Sequence, residues 1–235
     1  MLISRTHRFV FVHVGKNGGN AIAHALGSFS SPGYWSGDSE QKHWPAFKIK
    51  KEILLHAWGD FFSFAVVSNP WRWLHSSFHY IKMTALLYSQ QTLSPELAAW
   101  RQWTVAEPDE YTRRWLAEVD RTARKGFEEF VRDECADFLD RFPGGQIRKW
   151  CQDLDGLPLV SRIVSYERLA AEWPVLCQQL GVGAIGLERL NPTILPDGRP
   201  RSTRPYQVDY SPAMRDAVRE AFALDIDVMD YKFDK

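Results

Sequence analysis

No excess of charge, no paired cysteine and no long apolar run marks this 235-residue chain. Lys+Arg and Asp+Glu each number 29, so the formal net charge at pH 7 is zero. A general polyanion binder needs a basic surface, so no nucleic-acid partner is expected. Cys135, Cys151 and Cys177 stand far apart without a C-x-x-C pair. That disfavours zinc ribbons and thioredoxin-type redox motifs, and the odd, scattered count suits a reducing compartment. No segment approaches the roughly 18 apolar residues of a membrane span, and the opening MLISRTHRFVFVHVGKNGG carries no cleavage-site pattern. A soluble, cytoplasmic protein with no transmembrane segment is therefore expected. Metal-ligand spacing is also missing, and no metal is expected. The glycine turn at residues 15–19 matches neither G-x-x-x-x-G-K-[ST] of nucleoside triphosphatases nor G-x-G-x-x-G of dinucleotide enzymes.

The chain does have ample material for a core. It is 45% hydrophobic and 14% aromatic, which suits a single domain over residues 1–235 and argues against disorder. Ten tryptophans are many for this length; core filling is the simplest use, with lining of a groove for a flat ring or sugar as the alternative.

A strand–turn–helix opens the chain. Phe9–Val14 is rich in strand formers, Gly15-Lys16-Asn17-Gly18-Gly19 turns, and residues 20–28 return to helical spacing. Consecutive N–H groups at such a turn, leading into a helix N-terminus, cradle an anion, and Lys16 adds a full charge. A phosphate is the natural occupant, although a lysine–glycine turn alone can be merely a tight turn. Residues 44–58 read as helical. A second buried strand, Phe61–Val67, ends at Ser68-Asn69-Pro70, a helix-start signal. On the helix that follows, Asn69, Arg72 and Ser76 share one face at i, i+3 and i+7. Residues 84–150 read as a large helical insertion anchored by Trp100, Trp103, Trp115, Phe127, Phe130 and Phe138. A third strand, Leu159–Val164, precedes Tyr166-Glu167 and a helix over 167–180 that stops at Gly181. Residues 191–206 form a Pro/Gly/Arg-rich loop, and a last helix runs from Pro212 to about Asp227. Strand ends at 14, 67 and 164, each followed by a helix, fall at one edge of a mainly parallel α/β sheet, where such sheets bind ligands.

Four segments resemble sulfotransferases that use 3′-phosphoadenosine 5′-phosphosulfate (PAPS), in the branch called sulfotransferase family 2. HVGKNGGNAI is similar to the 5′-phosphosulfate loop, usually P-K-T-G-G-[TS]-S. FSFAVVSNPWRWLHSSFHY resembles the aromatic strand followed by R-N-P-[WY]-x-[RW]-x-x-S. RIVSYERLAAEWPVLCQQLGV looks like the strand leading to Y-E-x-L and a helix ending in L-G-[IV]. YSPAMRDAVREAFALDIDVMDYKF is similar to a C-terminal helix ending in D-[IL]-x-x-[FM]-x-Y-x-F. They occur in the family's order over residues 9–233.

The resemblance implies a P-loop-like three-layer sandwich and metal-independent sulfuryl transfer from PAPS to a hydroxyl or amine of a carbohydrate or small molecule. It gives Lys16 the role of stabilising charge on the 5′-phosphate and bridging oxygen. It gives Asn17, Gly18, Gly19, Asn20 and Ala21 to the 5′-phosphate cradle, with Asn17 and Asn20 replacing residues that are usually hydroxylic and Gly15 replacing proline. It gives Ser76 to the 3′-phosphate. Ser68, a candidate nucleotide contact, stands where the family has a phosphate-gripping arginine; either the 3′-phosphate is bound weakly, or Arg72, Arg201 or Arg204 substitutes, and Arg199 shares that loop. His43, in QKHWPAF, is the candidate general base, with His56 second; His13 and His24 flank the turn. Tyr166 and Glu167 close the packing beneath the site. Because the motifs depart from the family at several positions, a catalytically weakened nucleotide-binding or interaction module stands as an alternative. A small-molecule kinase is a third reading, disfavoured by the missing hydroxyl after the lysine.

Overall fold

A computed structural model describes residues 1–33, 40–88, 110–188, 190, 193 and 205–234. Its centre is a four-stranded sheet in the order β1 (Leu2–Ser4), β2 (Phe9–Val12), β3 (Phe62–Val67), β4 (Arg162–Ser165). β1 is antiparallel to β2; β2–β3 and β3–β4 are parallel. The protein is thus α/β with a mixed, mostly parallel sheet.

Alternation along the strands explains why both faces are covered. Phe9 and Phe11 of β2, with Phe64 and Val66 of β3, point into one apolar cluster. Val10 and Val12, with Ala65 and Val67, point into the other. The first cluster is closed by α1 (Gly19–Leu26) through Ile22 and Leu26, and by a helix over Leu169–Leu180 through Leu169, Trp173 and Leu176. The second is closed by α2 (Ala46–Ile49), α3 (Pro70–Tyr88) and the C-terminal helices. Burying each Phe, Val or Leu stabilises the fold by roughly 1.5–3 kcal/mol, before the entropy of ordering the chain is set against it.

The remaining elements are α4 (Glu110–Ala123), α5 (Phe127–Arg141), the wide turn Ile147–Cys151, α6 (Leu169–Leu180), α7 (Pro212–Ala221) and α8 (Ala223–Met229). Local chemistry sets several ends. Asn69 caps α3, its Oδ1 accepting from Trp71 N at 3.2 Å, with Pro70 in the first turn. Ser211 caps α7 in the same way through Met214 N. Gly181 ends α6 with φ 66°.

Three differences from the sequence expectations have physical causes. β1 went unread because it is three residues long and its turn to β2 carries no glycine or proline. The expected segment 44–58 is not one regular helix: a single α turn gives way to a wide turn over Lys50–Leu54 and 3₁₀ turns over Leu55–Asp60. The last helix is split at Phe222, because Gly144 N takes Ala221 O and Gly144 O takes Asp225 N, both at 3.2 Å. Within 84–150 the described residues are helical or turns, without a strand; Trp100 and Trp103 lie outside them.

The tryptophans that the structure describes serve packing and anchoring. Five indole N–H groups donate to backbone carbonyls: Trp58 to Leu159, Trp71 to Arg215, Trp73 to Gly15, Trp150 to His43 and Trp173 to Ile185. Trp115 is half-buried. The three cysteines are buried free thiols; burial pushes Cys135 up to about 12 and raises Cys151 and Cys177. Among the described residues no helix is long and apolar enough to cross a membrane.

Candidate functional site: the glycine turn at the carboxyl edge of the sheet

The parallel registers put the ends of β2, β3 and β4 at one edge. The turn after β2 is built from alternating backbone hands. Lys16 (φ 63°) and Gly18 (φ 73°) are left-handed, and Asn17 between them is not. Such alternation turns successive N–H groups to one side. The first hydrogen bond of α1 runs from Ile22 N to Gly18 O at 3.1 Å. The N–H groups of Gly19, Asn20 and Ala21 precede it and point out of the helix start, where the helix dipole favours an anion.

Packing gives both glycines a reason. A Cβ on Gly18 would lie 3.0 Å from Tyr166, and one on Gly19 would lie 1.9 Å from His13 Nε2. Lys16 Nζ donates to Thr193 Oγ1 at 3.2 Å and sits 4.0 Å from the Tyr80 ring centroid. Its charge is thus held between α3 and the segment that follows α6.

Beneath the turn lies a buried polar network that sequence reasoning did not find. Ser68 Oγ donates to Asn17 Oδ1 at 2.6 Å, and Asn17 Nδ2 donates to Gln146 Oε1 at 2.8 Å. Gln146 Nε2 donates to Ser68 O at 2.8 Å and to Asp225 Oδ2 at 3.2 Å. Asp225 also accepts from Gln146 N and Ile147 N, both at 2.8 Å. Asp225 is fully buried, and burial pushes its carboxyl up to about 7 against these donors. The side chains of Asn17 and Ser68 therefore serve the floor of the turn. The one signal for Gln146 was its place after Gly144-Gly145; a Cβ on Gly145 would lie 2.6 Å from Asp225.

Arg72 leaves α3 beside this floor. Its guanidinium carbon stacks 3.9 Å from the Tyr166 ring centroid, and Nε lies 4.0 Å from Glu167 Oε1. Its Nη1 is buried with no hydrogen-bond acceptor among the described residues. Glu167 is held by Asn69 N at 3.1 Å and by Ser165 Oγ at 2.8 Å. Tyr166 thus touches Gly18 with one part of its ring and carries Arg72 with its face, so the arginine stands one ring away from the turn. Ser76 is buried one helical turn further along α3. Arg199, Arg201 and Arg204 lie outside the described residues.

His43 reaches the turn from the end of a 3₁₀ turn, Glu40–His43. A Cβ on Gly15 would lie 3.7 Å from its Cε1. Its Nδ1 is 3.0 Å from His13 O. A carbonyl only accepts, so Nδ1 carries the proton and the Nε2 lone pair is the basic one. His13 is buried between Phe11 and His43, and burial keeps its pKa well below the usual histidine range. His56 is exposed in the turn before β3, at the opposite edge of the sheet, and His24 is exposed on α1.

A second group of titratable side chains lies further along α3: His75, His79 and Asp209. The expectation that metal-ligand spacing is missing passed over the i, i+4 histidine pair in HSSFH. No family model, no curated protein and no solved structure matches this chain.

Proposed function

We propose that the protein is a sulfotransferase on a P-loop-like three-layer framework, moving a sulfuryl group from PAPS to a hydroxyl or amine of a carbohydrate or small molecule. The observation that carries this reading is the single ring of Tyr166 joining two anion-seeking features, the left-handed glycine turn and Arg72 with its buried Nη1. A nucleotide with phosphates at both 5′ and 3′ positions has the charge pattern for such a pair. The glycine turn fits the 5′-phosphate through the N–H groups of residues 19–21 at the helix start. Nη1 of Arg72, without an acceptor among the described residues, fits a 3′-phosphate oxygen, and Ser76 offers a hydroxyl on the same helix.

The roles follow from charge flow. His43 Nε2 takes the acceptor's proton as the acceptor oxygen or nitrogen bonds to sulfur. Lys16 and the N–H groups of residues 19–21 stabilise the charge that grows on the 5′-phosphate as its bond to sulfur breaks. The test is transfer of radiolabelled sulfuryl from PAPS to a pool of hydroxyl and amine acceptors. Labelled product that disappears in Lys16→Ala, with circular dichroism unchanged, is the expected result; no product from any acceptor class contradicts it.

A second reading, a nucleotide-binding module with weakened catalysis, is favoured by Ser68. It stands in the arginine's place of the resembling motif and is buried against Asn17. Tight binding of adenosine 3′,5′-bisphosphate without turnover would select it.

A further inference from the structure

We propose that His75, His79 and Asp209 bind one divalent transition-metal ion of the zinc class, fastening the turn Tyr206–Asp209 to α3. His75 and His79 lie one helical turn apart on α3, and Asp209 comes from the turn before α7. Three donor atoms meet at one point. His75 Nε2 is 2.9 Å from Asp209 Oδ2 and 3.1 Å from His79 Nε2, and all three atoms lie within 4.8 Å of one another.

Proton counting favours a cation there. A neutral imidazole nitrogen offers either one proton or one lone pair. With a lone pair on His75 Nε2, that nitrogen accepts from His79 but faces the carboxylate with repulsion. With a proton on it, one hydrogen must serve both the carboxylate and the His79 lone pair. A metal ion satisfies all three donors at once. Ligands about 2.0–2.1 Å from a tetrahedral zinc are about 3.3 Å apart, close to the separations found here. Two imidazoles and one carboxylate suit zinc-class ions rather than magnesium or calcium, which prefer all-oxygen shells. The surroundings hold the donors in place. His75 is fully buried, Phe127 packs edge-on against it at 5.5 Å, and Tyr210 O–H donates to Trp71 O at 2.8 Å beside the junction.

The experiment is calorimetric titration of the chelator-treated 235-residue chain with ZnCl2, and with MgCl2 as contrast. One equivalent of saturable Zn²⁺ binding is expected, with no Mg²⁺ binding. Removing groups that merely support a ligand weakens metal sites about 10–100-fold, so His79→Ala and Asp209→Asn are each expected to cost at least about 100-fold. Those two positions are chosen because His75 is buried and its replacement risks the fold. Zn²⁺ is expected to raise the wild-type melting temperature and to leave that of both variants unmoved. No one-equivalent binding in the wild type, or binding that survives unchanged in the two folded variants, overturns the site and leaves the three side chains as a hydrogen-bonded chain.

Discussion

Gly19 sits where two local preferences oppose each other. As the first residue of α1 it has ordinary helical backbone, so alanine there would gain about 1 kcal/mol of helix preference. The added Cβ, however, meets the buried His13 ring at 1.9 Å. Overpacking of this kind typically costs about 1–3 kcal/mol, so the clash wins. Gly19→Ala is expected to lower the urea midpoint; a stabilised variant would show that His13 moves aside freely. His43 makes a chemical prediction at the same scale. With Nδ1–H fixed on His13 O, its replacement by alanine is expected to slow sulfuryl transfer by ~10²–10⁴-fold while leaving adenosine 3′,5′-bisphosphate affinity nearly unchanged. Equal losses in both would place His43 in nucleotide binding instead.

At the scale of elements, four segments meet in the floor of the turn: the turn itself, the end of β3, the turn after α5, and α8. Asp225 ties them together and gives the assembly a pH signature. Its pKa is 3.8 in the unfolded chain and about 7 when folded. Between those values the folded protein holds more protons than the unfolded one, so stability falls as pH rises and levels off above the folded pKa. Asp225→Asn removes that slope. It is less stable at every pH, because its NH2 group faces either the Ile147 N–H or the Gln146 donors with hydrogens while its oxygen accepts only on the other side. In urea unfolding at pH 5 and pH 8, the wild type is expected to lose up to about 3 kcal/mol more than the variant does. Groups common to both proteins cancel in that comparison, and parallel pH profiles would mean that Asp225 is ionised throughout.

The same floor marks the limit of what the sequence made legible. Strand alternation, the Asn69-Pro70 cap and the Lys16–Gly19 turn are local patterns, and each was readable from neighbouring residues. The parallel edge followed from them. Gln146 and Asp225 carry no local signal, since a polar residue in a helical stretch reads as solvent-facing until tertiary packing turns it inward. The break at Phe222 has the same origin, because Gly144 comes from a distant segment to take the helix's hydrogen bonds. Asn17 and Ser68 read as ligand contacts because their positions in the motif are ligand contacts; burial gives their side chains to the network. His75 and His79 had a readable i, i+4 spacing, but Asp209 joins them only through the fold.

For the whole molecule, two apolar clusters hold a mixed, mostly parallel sheet whose carboxyl edge gathers the glycine turn, the start of α3 and the Tyr166-Glu167 pair. The proposed activity requires that edge to read two phosphates on one nucleotide. The most direct measurement is calorimetric comparison of adenosine 3′,5′-bisphosphate with adenosine 5′-monophosphate on the wild type and on Arg72→Ala. The wild type is expected to prefer the bisphosphate. Loss of one charged hydrogen-bond partner costs ~1.5–3 kcal/mol, so Arg72→Ala is expected to weaken the bisphosphate about 10–150-fold and to leave the monophosphate nearly unchanged. A wild-type protein that binds the two nucleotides equally has no 3′-phosphate site, which would contradict PAPS as the donor.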